Sequence, residues 1–470
     1  MLVRKTVRNL TLIMSLLIPA ASCKCAGKVQ QPPAAQNTDQ KATVAPSASS
    51  VLTPAPVQST KPAIIPIAPL TLSCLPGGKE TAQAKLNEVR TGFMKLFGNT
   101  LSGGTIILNK PNNNEAVSEG VGFGGKIYGV SGGLAAGALT SAGGKAESNQ
   151  QTFWQIYRAR NAYFMTGSGV MAWKVDGQGK QISTDSAADG DQDWIAAEQK
   201  ALDDLQAGQW QLPAGITIEG IKTQIQTDRD AFWRNHVKPI NGRLFFLASN
   251  GAWAKRGDGR EIYYPSYPDP NALGRIFRSD SSHDGAKLVA DVQALNQEVL
   301  ANYQGLGASG QNPMPAKVFV TVLANGSYKV ENYYEISGRE GVRAEDRKDN
   351  ELDSIRFFLR QGRAALLDGD AAAQTMLRQI IQIAKITGPS TAHILAGAQG
   401  APSPLGFNNT LARASYGLAV LGSGESAKAE SFFCSVMNDH KGQYFGEWDG
   451  AKKYYYDQAM IIQALDLAIN

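Results

Sequence analysis

One carboxylate stands in a strip of glycine and apolar residues, Val117–Gly125, with the sequence VSEGVGFGG. Glycine lets other groups, including a ligand, come close to the backbone. Apolar neighbours and loss of water raise the pKa of a carboxyl group, which a general acid needs near neutral pH. Taken alone, the strip favours a solvated loop glutamate at Glu119. The choice therefore depends on partners further along the chain.

Three more stretches contain carboxylates or hydroxyls. They are MAWKV at 171–175 followed by DSAADGDQD at 185–193, then PSY at 265–267, then LDSIR at 352–356. Each lies on a connection or at a predicted helix start. In a ring of helices, one set of helix ends borders one central cleft. A ring would therefore bring these side chains to one cleft.

Simpler explanations exist for the same residues. Asp353 lies in an acidic helix start and could complement the helix dipole. Asp189, Asp191 and Asp193 alternate as in a calcium loop, but the glycine and closing glutamate of an EF-hand are not at the required positions. One or two of these aspartates could cap the next helix. Tryptophans are more often core residues than ligand platforms.

Helical periodicity dominates the chain after about residue 80. Several of the periodic stretches follow Asp, Asn or Ser, or end before Gly. The predicted helices are Glu80–Phe97, Gly120–Leu139, Gln150–Ala162, Asp191–Gln206, Ile218–His236, Pro270–Phe277, Gly285–Tyr303, Asn350–Leu367, Ala371–Ile386, Phe407–Leu421, Ser426–Met437 and Tyr454–Ile469.

Strand signals are few: Gly104–Leu108, Arg243–Ala248, and a hairpin of Lys317–Leu323 and Tyr328–Tyr333 around Asn325-Gly326. No βαβ alternation, P-loop or dinucleotide-binding glycine motif is present. About a dozen helices with long glycine-rich connections predict an all-α fold of two concentric helical layers, with short β-hairpin insertions.

The N-terminus has the pattern of an export signal, predicted for residues 1–22. Three basic residues within the first eight precede the mostly apolar stretch Leu10–Ile18, and small residues follow. Ala20-Ala21-Ser22-Cys23 is similar to a bacterial lipobox, although Ala stands where Leu is usual. We expect lipid attachment at Cys23, with ordinary signal-peptidase cleavage as the alternative. The composition of residues 23–73, which are rich in Pro, Ala and Gln, predicts a disordered tether. We expect the folded domain to span residues 74–470.

Composition limits the partners that the domain can have. The net charge of +5 is too small to indicate a nucleic-acid-binding surface. The mean hydropathy of -0.23 excludes a membrane protein with several transmembrane helices. Four histidines lack the spacing of a zinc site, so we expect no metal and no cofactor. In an exported protein Cys74 and Cys434 could pair, but sequence does not show whether they are close. We expect a monomer in a periplasmic or cell-surface location.

The ordered set of motifs resembles glycoside hydrolase family 8, whose members include endo-β-1,4-glucanases, lichenases, xylanases and chitosanases. SEGVGFG at 118–124 is similar to the family's SEGxGYG, and ADGDQD at 188–193 to its SDGDxD. The resemblance continues in FW at 153–154, AWKV at 172–175, YPSY at 264–267, DSIR at 353–356, PLGF at 404–407 and YYDQ at 455–458. It extends from about Glu80 to the C-terminus.

The resemblance implies a barrel of six inner and six outer helices, an (α/α)6 toroid, and an inverting hydrolase of β-1,4-linked glucan. It implies that Glu119 is the general acid and Asp353 the general base, with Asp189 bonded to a sugar hydroxyl. Arg356, one turn after Asp353, could keep that carboxylate ionised or fix its orientation. Further substrate-binding residues are expected at Trp154, Trp173, Tyr267 and Tyr456.

The sequence departs from the family pattern at several positions. Trp194-Ile195 replaces the usual Ile-Ala, Ala188 replaces Ser or Thr, and Asn312–Pro315 replaces Pro-Asp-Trp. Three interpretations of the chain therefore remain open. The first is an endo-glycosidase, acting on β-1,4-glucan or on xylan, lichenan or chitosan. The second is a carbohydrate-binding lipoprotein that has lost catalysis. The third is a purely structural envelope protein.

Overall fold

The computed structural model describes residues 65–110, 114–130, 145–251, 254, 258–302, 314–332, 352–391, 409–446 and 455–469. Within these ranges, the side chains of residues 352–354 are among a few that are not described. The described part is predominantly helical. Its helices are α1 Gly78–Phe97, α2 Ser118–Gly125, α3 Lys145–Ala159, α4 Ala188–Gln206, α5 Ile218–His236, α6 Pro270–Phe277, α7 Gly285–Asn302, α8 Leu352–Leu367, α9 Ala371–Ile383, α10 Asn409–Gly422, α11 Ser426–Asn438 and α12 Tyr455–Ile469.

The even-numbered helices contact one another in a closed cycle. Helix α2 packs on α4, α4 on α6, α6 on α8, α8 on α10, α10 on α12, and α12 on α2 again. Each odd-numbered helix packs on the outside of one or two of these, as α5 does on α4 and α11 on α10. A ring of inner helices with an outer layer produces this pattern of neighbours. No helix in the described ranges is long and apolar enough to cross a bilayer.

Local sequence explains where several helices begin. The side chains of Thr217, Asp269 and Asp370 accept hydrogen bonds from backbone N–H groups in the first turns of α5, α6 and α9. Pro270 occupies the first position of α6, where a missing N–H costs nothing. The predicted helix from Gly120 begins at Ser118 instead and passes at Lys126 into a π-helical turn ending at Val130; residues 131–144 lie outside the description.

Three antiparallel sheets accompany the helices. The largest has the order β1 (Gly98–Leu101), β2 (Gly104–Lys110), β3 (Glu115–Val117), β4 (Lys174–Asp176) and β5 (Gln181–Ser183). A two-stranded sheet pairs β6 (Val237–Ile240) with β7 (Arg243–Phe246), and a third has the order β10 (Tyr328–Asn332), β9 (Val318–Val322), β8 (Glu261–Tyr263). The Asn325-Gly326 hairpin is confirmed. Most strands of the five-stranded sheet were not predicted from the sequence. Several of them have only three or four residues, which is too few for an alternating pattern to show.

An N-terminal arm, residues 65–76, lies against the outer helices. Its backbone at Ile65 exchanges two hydrogen bonds with the Gln374 side chain on α9. Glu430 on α11 accepts bonds from the N–H and hydroxyl groups of Thr71 and Ser73. Folded structure therefore includes residues 65–73, which the sequence assigns to the tether.

A disulfide joins Cys74 to Cys434 on α11, with their Cα atoms 6.0 Å apart. It lies directly after the arm and closes a loop across 360 positions of sequence. The sequence left this pairing open because it cannot show distance.

Candidate active site

Glycines bring the first turns of α2 and α4 into backbone contact. A methyl group added at Gly190 would lie 2.8 Å from the carbonyl carbon of Ser118, and one at Gly122 would lie 2.9 Å from the Gly190 oxygen. Real Cβ atoms do not approach this closely, so only glycine fits at both positions. Glu119 directly follows Ser118, and Asp189 directly precedes Gly190. The contact between the helices therefore holds the two acidic residues side by side.

Arg356, in the second turn of α8, bridges the two carboxylates. Its Nη1 lies 3.2 Å from Oε1 of Glu119 and donates a closer hydrogen bond to Oδ2 of Asp189. Asp189 is 1% exposed and Arg356 is fully buried, whereas Glu119 keeps 14% of its side chain exposed. The structure thus joins three of the predicted site residues, and Glu119 is the member that reaches solvent.

Two tyrosines pack against the same guanidinium. Its carbon lies 4.6 Å from the ring centre of Tyr267 and 5.4 Å from that of Tyr456. Cation–π contact of this kind restrains the guanidinium and strengthens when water is excluded. Both rings are nearly buried, and Tyr456 also meets Phe123 edge-on at 5.5 Å. The two predicted tyrosines therefore lie at the site.

Two carboxyl groups share the guanidinium of Arg356 in a site with little water. A like charge so close opposes the ionisation of a neighbouring carboxyl group, whereas the guanidinium favours it. Glu119 makes the longer contact with Arg356 and is the more exposed of the two carboxyl groups.

The neighbouring phenol of Tyr455 stays neutral. Burial, followed by the nearby charge of Glu119, raises the pKa of Tyr455 well above its usual value. A phenol that remains protonated can donate a hydrogen bond.

A buried network of ion pairs lies one turn further along the helices that carry Asp189 and Arg356. The Lys126 ammonium lies 2.6 Å from both Asp193 and Asp269, Arg360 donates to Asp193 at 3.1 Å, and Arg363 to Asp269 at 2.6 Å. Burial and then the charge of Arg363 lower the pKa of Lys126. Burial alone would raise the pKa of Asp269, but Lys126 and both arginines hold it well below its usual range.

This network was missed at the sequence level. It joins α2, α4, α6 and α8, the elements that carry Glu119, Asp189 and Arg356. Asp193 lies one helical turn after Asp189, and Arg360 lies one turn after Arg356. This spacing is the only feature of the sequence that indicates the network.

Asp191 contributes to a separate buried group. Its Oδ1 accepts a bond from the Met171 N–H at 2.9 Å, and its Oδ2 lies 3.2 Å from Nε2 of His236. Its role is thus to fix the segment that leads into Trp173. No cluster of three or more His, Cys, Asp or Glu side chains arranged to hold a metal exists among the residues that the structure describes.

The two predicted tryptophans differ in position. Trp173 is 41% exposed, and its carbonyl accepts a bond from the N–H of Ser118 at 2.9 Å, one residue before Glu119. Trp154 is 3% exposed and packs edge-on against Phe153, Tyr157 and Trp210. The structure therefore places Trp173 where a ligand can reach it, and places Trp154 in the core.

The predicted base and the lipidation site have less structural support. Asp353 belongs to α8, three residues before Arg356, and its side chain lies outside the description. Cys23 also lies outside the described residues.

Solved structures with the same architecture identify the fold. A β-1,3-1,4-glucanase from Paenibacillus sp. X4 superposes with a TM-score of 0.61 at 17% identity, covering 87% of this chain and 97% of that one. A GH8 endo-β-1,4-glucanase from an Achatina fulica gut metagenomic library gives 0.52 at 15%, covering 81% and 96%. Rex8A from Paenibacillus barcinonensis, complexed with xylose, gives 0.57 at 14%, covering 86% and 97%.

The chain has the fold of glycoside hydrolase family 8. No protein-family model matches the sequence, and no curated protein matches it. At these identities the GH8 likeness establishes the fold, and the chemistry of the site must be argued from its own residues.

One departure from the family pattern has a visible structural role in this GH8 fold. Trp194, which replaces the usual Ile, is fully buried and stacks on Phe153 at 5.3 Å with an interplanar angle of 8°. It packs on the side of α4 that faces α3. Trp194 is thus a core residue, while the acidic residues Asp189 and Asp193 of the same helix bond to α8.

Proposed function

We propose that this protein is an inverting endo-glycosidase that hydrolyses β-1,4-linked glucan. The observation that carries the proposal is the cluster of Glu119, Asp189 and Arg356, in which two carboxylates share one buried guanidinium. The double-layered helical arrangement, which we take to be an (α/α)6 barrel, places this cluster at the N-terminal ends of inner helices. The likeness to β-glucanases adds support.

In the proposed reaction, protonated Glu119 donates its proton to the glycosidic oxygen as the bond breaks. Asp353 acts as the base that activates water on the opposite face of the sugar. Inverting enzymes hold two such carboxyl groups roughly 6.5–9.5 Å apart, so that one water fits between them. The position of Asp353 on α8, one turn before Arg356, is compatible with this role.

Asp189 and Arg356 would orient the sugar and Glu119. In this proposal the sugar ring enters past Glu119, and one of its hydroxyls donates to Asp189, which is 1% exposed and paired with Arg356. Tyr267 and Tyr456 hold the guanidinium in place. The exposed indole of Trp173 provides an apolar face on which a pyranose ring can stack.

A β-1,4-xylan chain is the second candidate substrate, because Rex8A was solved with xylose and has a similar fold. Export, attachment through a lipid on Cys23, and a periplasmic or cell-surface location also belong to this proposal. They rest on the N-terminal sequence pattern, and the Cys74–Cys434 disulfide supports export because such bonds persist in oxidising compartments.

Reducing-end release from carboxymethylcellulose, lichenan, xylan and chitosan tests the proposal, with the anomer of the first product followed by NMR. We expect β-1,4-glucan to yield the α-anomer, and Glu119→Gln to lower the rate by roughly 10²–10⁴. Glu219→Gln is the matched control, because Glu219 is exposed in the first turn of the outer helix α5 and pairs with Lys222 at 2.7 Å.

Loss of activity in the Glu119 variant alone would support the acid role. If the wild-type protein cleaves none of these polymers but is stabilised by an oligosaccharide, it is a binding protein, and the hydrolase proposal is refuted.

A further inference from the structure

A groove of about 850 Å³ lies on the outer wall of the protein, between α7 and α9 and beside the β9–β10 hairpin. We call it the α7–α9 groove. The residues that line it include the apolar side chains of Leu300 and Ile383, the ring of Tyr328, and three glutamines, Gln297, Gln379 and Gln382. This volume is typical of a small-molecule site. Neither the sequence motifs nor the proposed catalytic cluster uses any of these residues.

The three glutamines have free amides. Their side chains are exposed, and they make no hydrogen bond to any other residue in the part of the chain that the structure describes. Each amide offers two donors and one acceptor oxygen. Three such groups beside apolar side chains can bond the hydroxyls of a ligand while its C–H faces contact Leu300, Ile383 and the tyrosine ring.

The only cation among the described residues that line the groove is already paired with an acid, so an anionic ligand is disfavoured. Only Arg243 and Glu298 among the lining residues are charged. Arg243 donates to Asp291 at 2.9 Å and lies 5.4 Å from the ring centre of Tyr328, while Glu298 accepts from Asn302 at 2.7 Å. An anionic ligand such as nucleic acid would find no free cation among these side chains.

The groove lies at the same end of the protein as the catalytic cluster. Helices α8 and α9 are joined by only Asp368–Asp370 and pack against each other, so they run antiparallel. The last turns of α9, which carry Gln379 and Gln382, therefore lie level with the first turns of α8, which carry Arg356. A long chain bound in the groove would be held close to the end of the barrel where hydrolysis is proposed.

We propose that the α7–α9 groove is a second carbohydrate-binding site for a neutral β-linked polysaccharide, outside the catalytic cleft. The inference rests on the proposed function for the identity of the polymer. The site would hold a polymer at the enzyme between cleavage events. It would make no difference to an oligosaccharide too short to occupy both places.

The test uses a triple variant, Gln297→Ala/Gln379→Ala/Gln382→Ala, and a matched control, Gln206→Ala/Gln209→Ala/Gln211→Ala. The control replaces three other exposed glutamines, at the end of α4. Retardation of the full-length protein in native gels containing mixed-linkage β-glucan or xylan reports binding. Hydrolysis of a long polymer is compared with that of cellotetraose.

We expect the groove variant to bind the polymer on the order of tenfold more weakly, since up to three hydrogen bonds are lost. Its hydrolysis of long polymer should fall, while cellotetraose hydrolysis stays at the wild-type rate. The control variant should match wild type in all three measurements.

Equal retardation and equal polymer hydrolysis in the groove variant and wild type would overturn the proposal. A change in oligomeric state by light scattering in the groove variant alone would also overturn it, because the groove would then contact a second copy. Retardation that depends on the three glutamines in a protein that hydrolyses nothing would leave the groove as a carbohydrate site and refute the hydrolase function instead.

Discussion

Replacing Gly190 with Ala tests whether backbone contact between α2 and α4 positions the acid. The added methyl would lie 2.8 Å from the Ser118 carbonyl carbon and 2.9 Å from its oxygen. Backbone atoms cannot move aside as a flexible side chain does. The two helices must therefore separate by roughly half an ångström to reach ordinary van der Waals distance.

Overpacking of this kind costs about 1–3 kcal/mol of unfolding free energy. The same shift moves Glu119 away from Asp189 and Arg356. Since a misplacement of about 1 Å can lower a rate roughly 10²-fold, we expect a loss of about tenfold in kcat on β-glucan. Urea unfolding followed by circular dichroism measures the first quantity, and a reducing-sugar assay measures the second.

Gly274→Ala is the matched control, because Gly274 lies within α6 and a methyl there would meet no atom within 4 Å. It should stabilise the protein by about 0.5–1 kcal/mol through helix propensity. If Gly190→Ala were as stable as wild type, the close approach of the two helices would not exist in solution. The stability result holds whether or not the protein is an enzyme.

Three further predictions concern stability. Arg356→Met should lower the free energy of unfolding by about 3–5 kcal/mol, because it removes the cation that pairs with the buried Asp189. Adding Asp189→Asn should restore part of this loss, and additive effects in the double variant would contradict the pairing. Cys434→Ser should cost about 2–5 kcal/mol, and a reductant should lower the melting temperature of wild type but not of the variant. Burial raises the pKa of Asp457 to about 7, compared with about 3.9 unfolded. The folded state therefore keeps a proton that the unfolded chain loses, and wild type should lose up to about 3 kcal/mol between pH 5 and pH 8. Asp457→Asn should remove that decline, and an unchanged pH profile in the variant would show that Asp457 is not its source.

Sequence predicted the helices well because their apolar periodicity is local. The helices Ile218–His236 and Pro270–Phe277 have the predicted bounds. The motif order also indicated that Glu119, Asp189 and Arg356 belong to one site. Strand β3 was missed because three residues paired with a distant partner leave no periodic signal.

Partners across the ring could not be predicted. Lys126 binds Asp193 and Asp269, 67 and 143 positions away, and nothing near Lys126 in the sequence indicates either. The described ion pairs of Arg356 cross to α2 and α4, and its expected contact with Asp353 stays a prediction because that side chain lies outside the description. Trp154 illustrates the same limit, since an aromatic residue near a motif can face the core as easily as the cleft.

The contacts that hold the N-terminal arm against α9 and α11 determine how the protein responds to a pulling force. Tension applied to the chain ahead of Ile65 meets the Gln374 and Glu430 contacts first, and any load that breaks them reaches the covalent link at Cys74 before it reaches α1. Force then passes into α11 at Cys434, and the helical domain is pulled as one body instead of unravelling from its first helix.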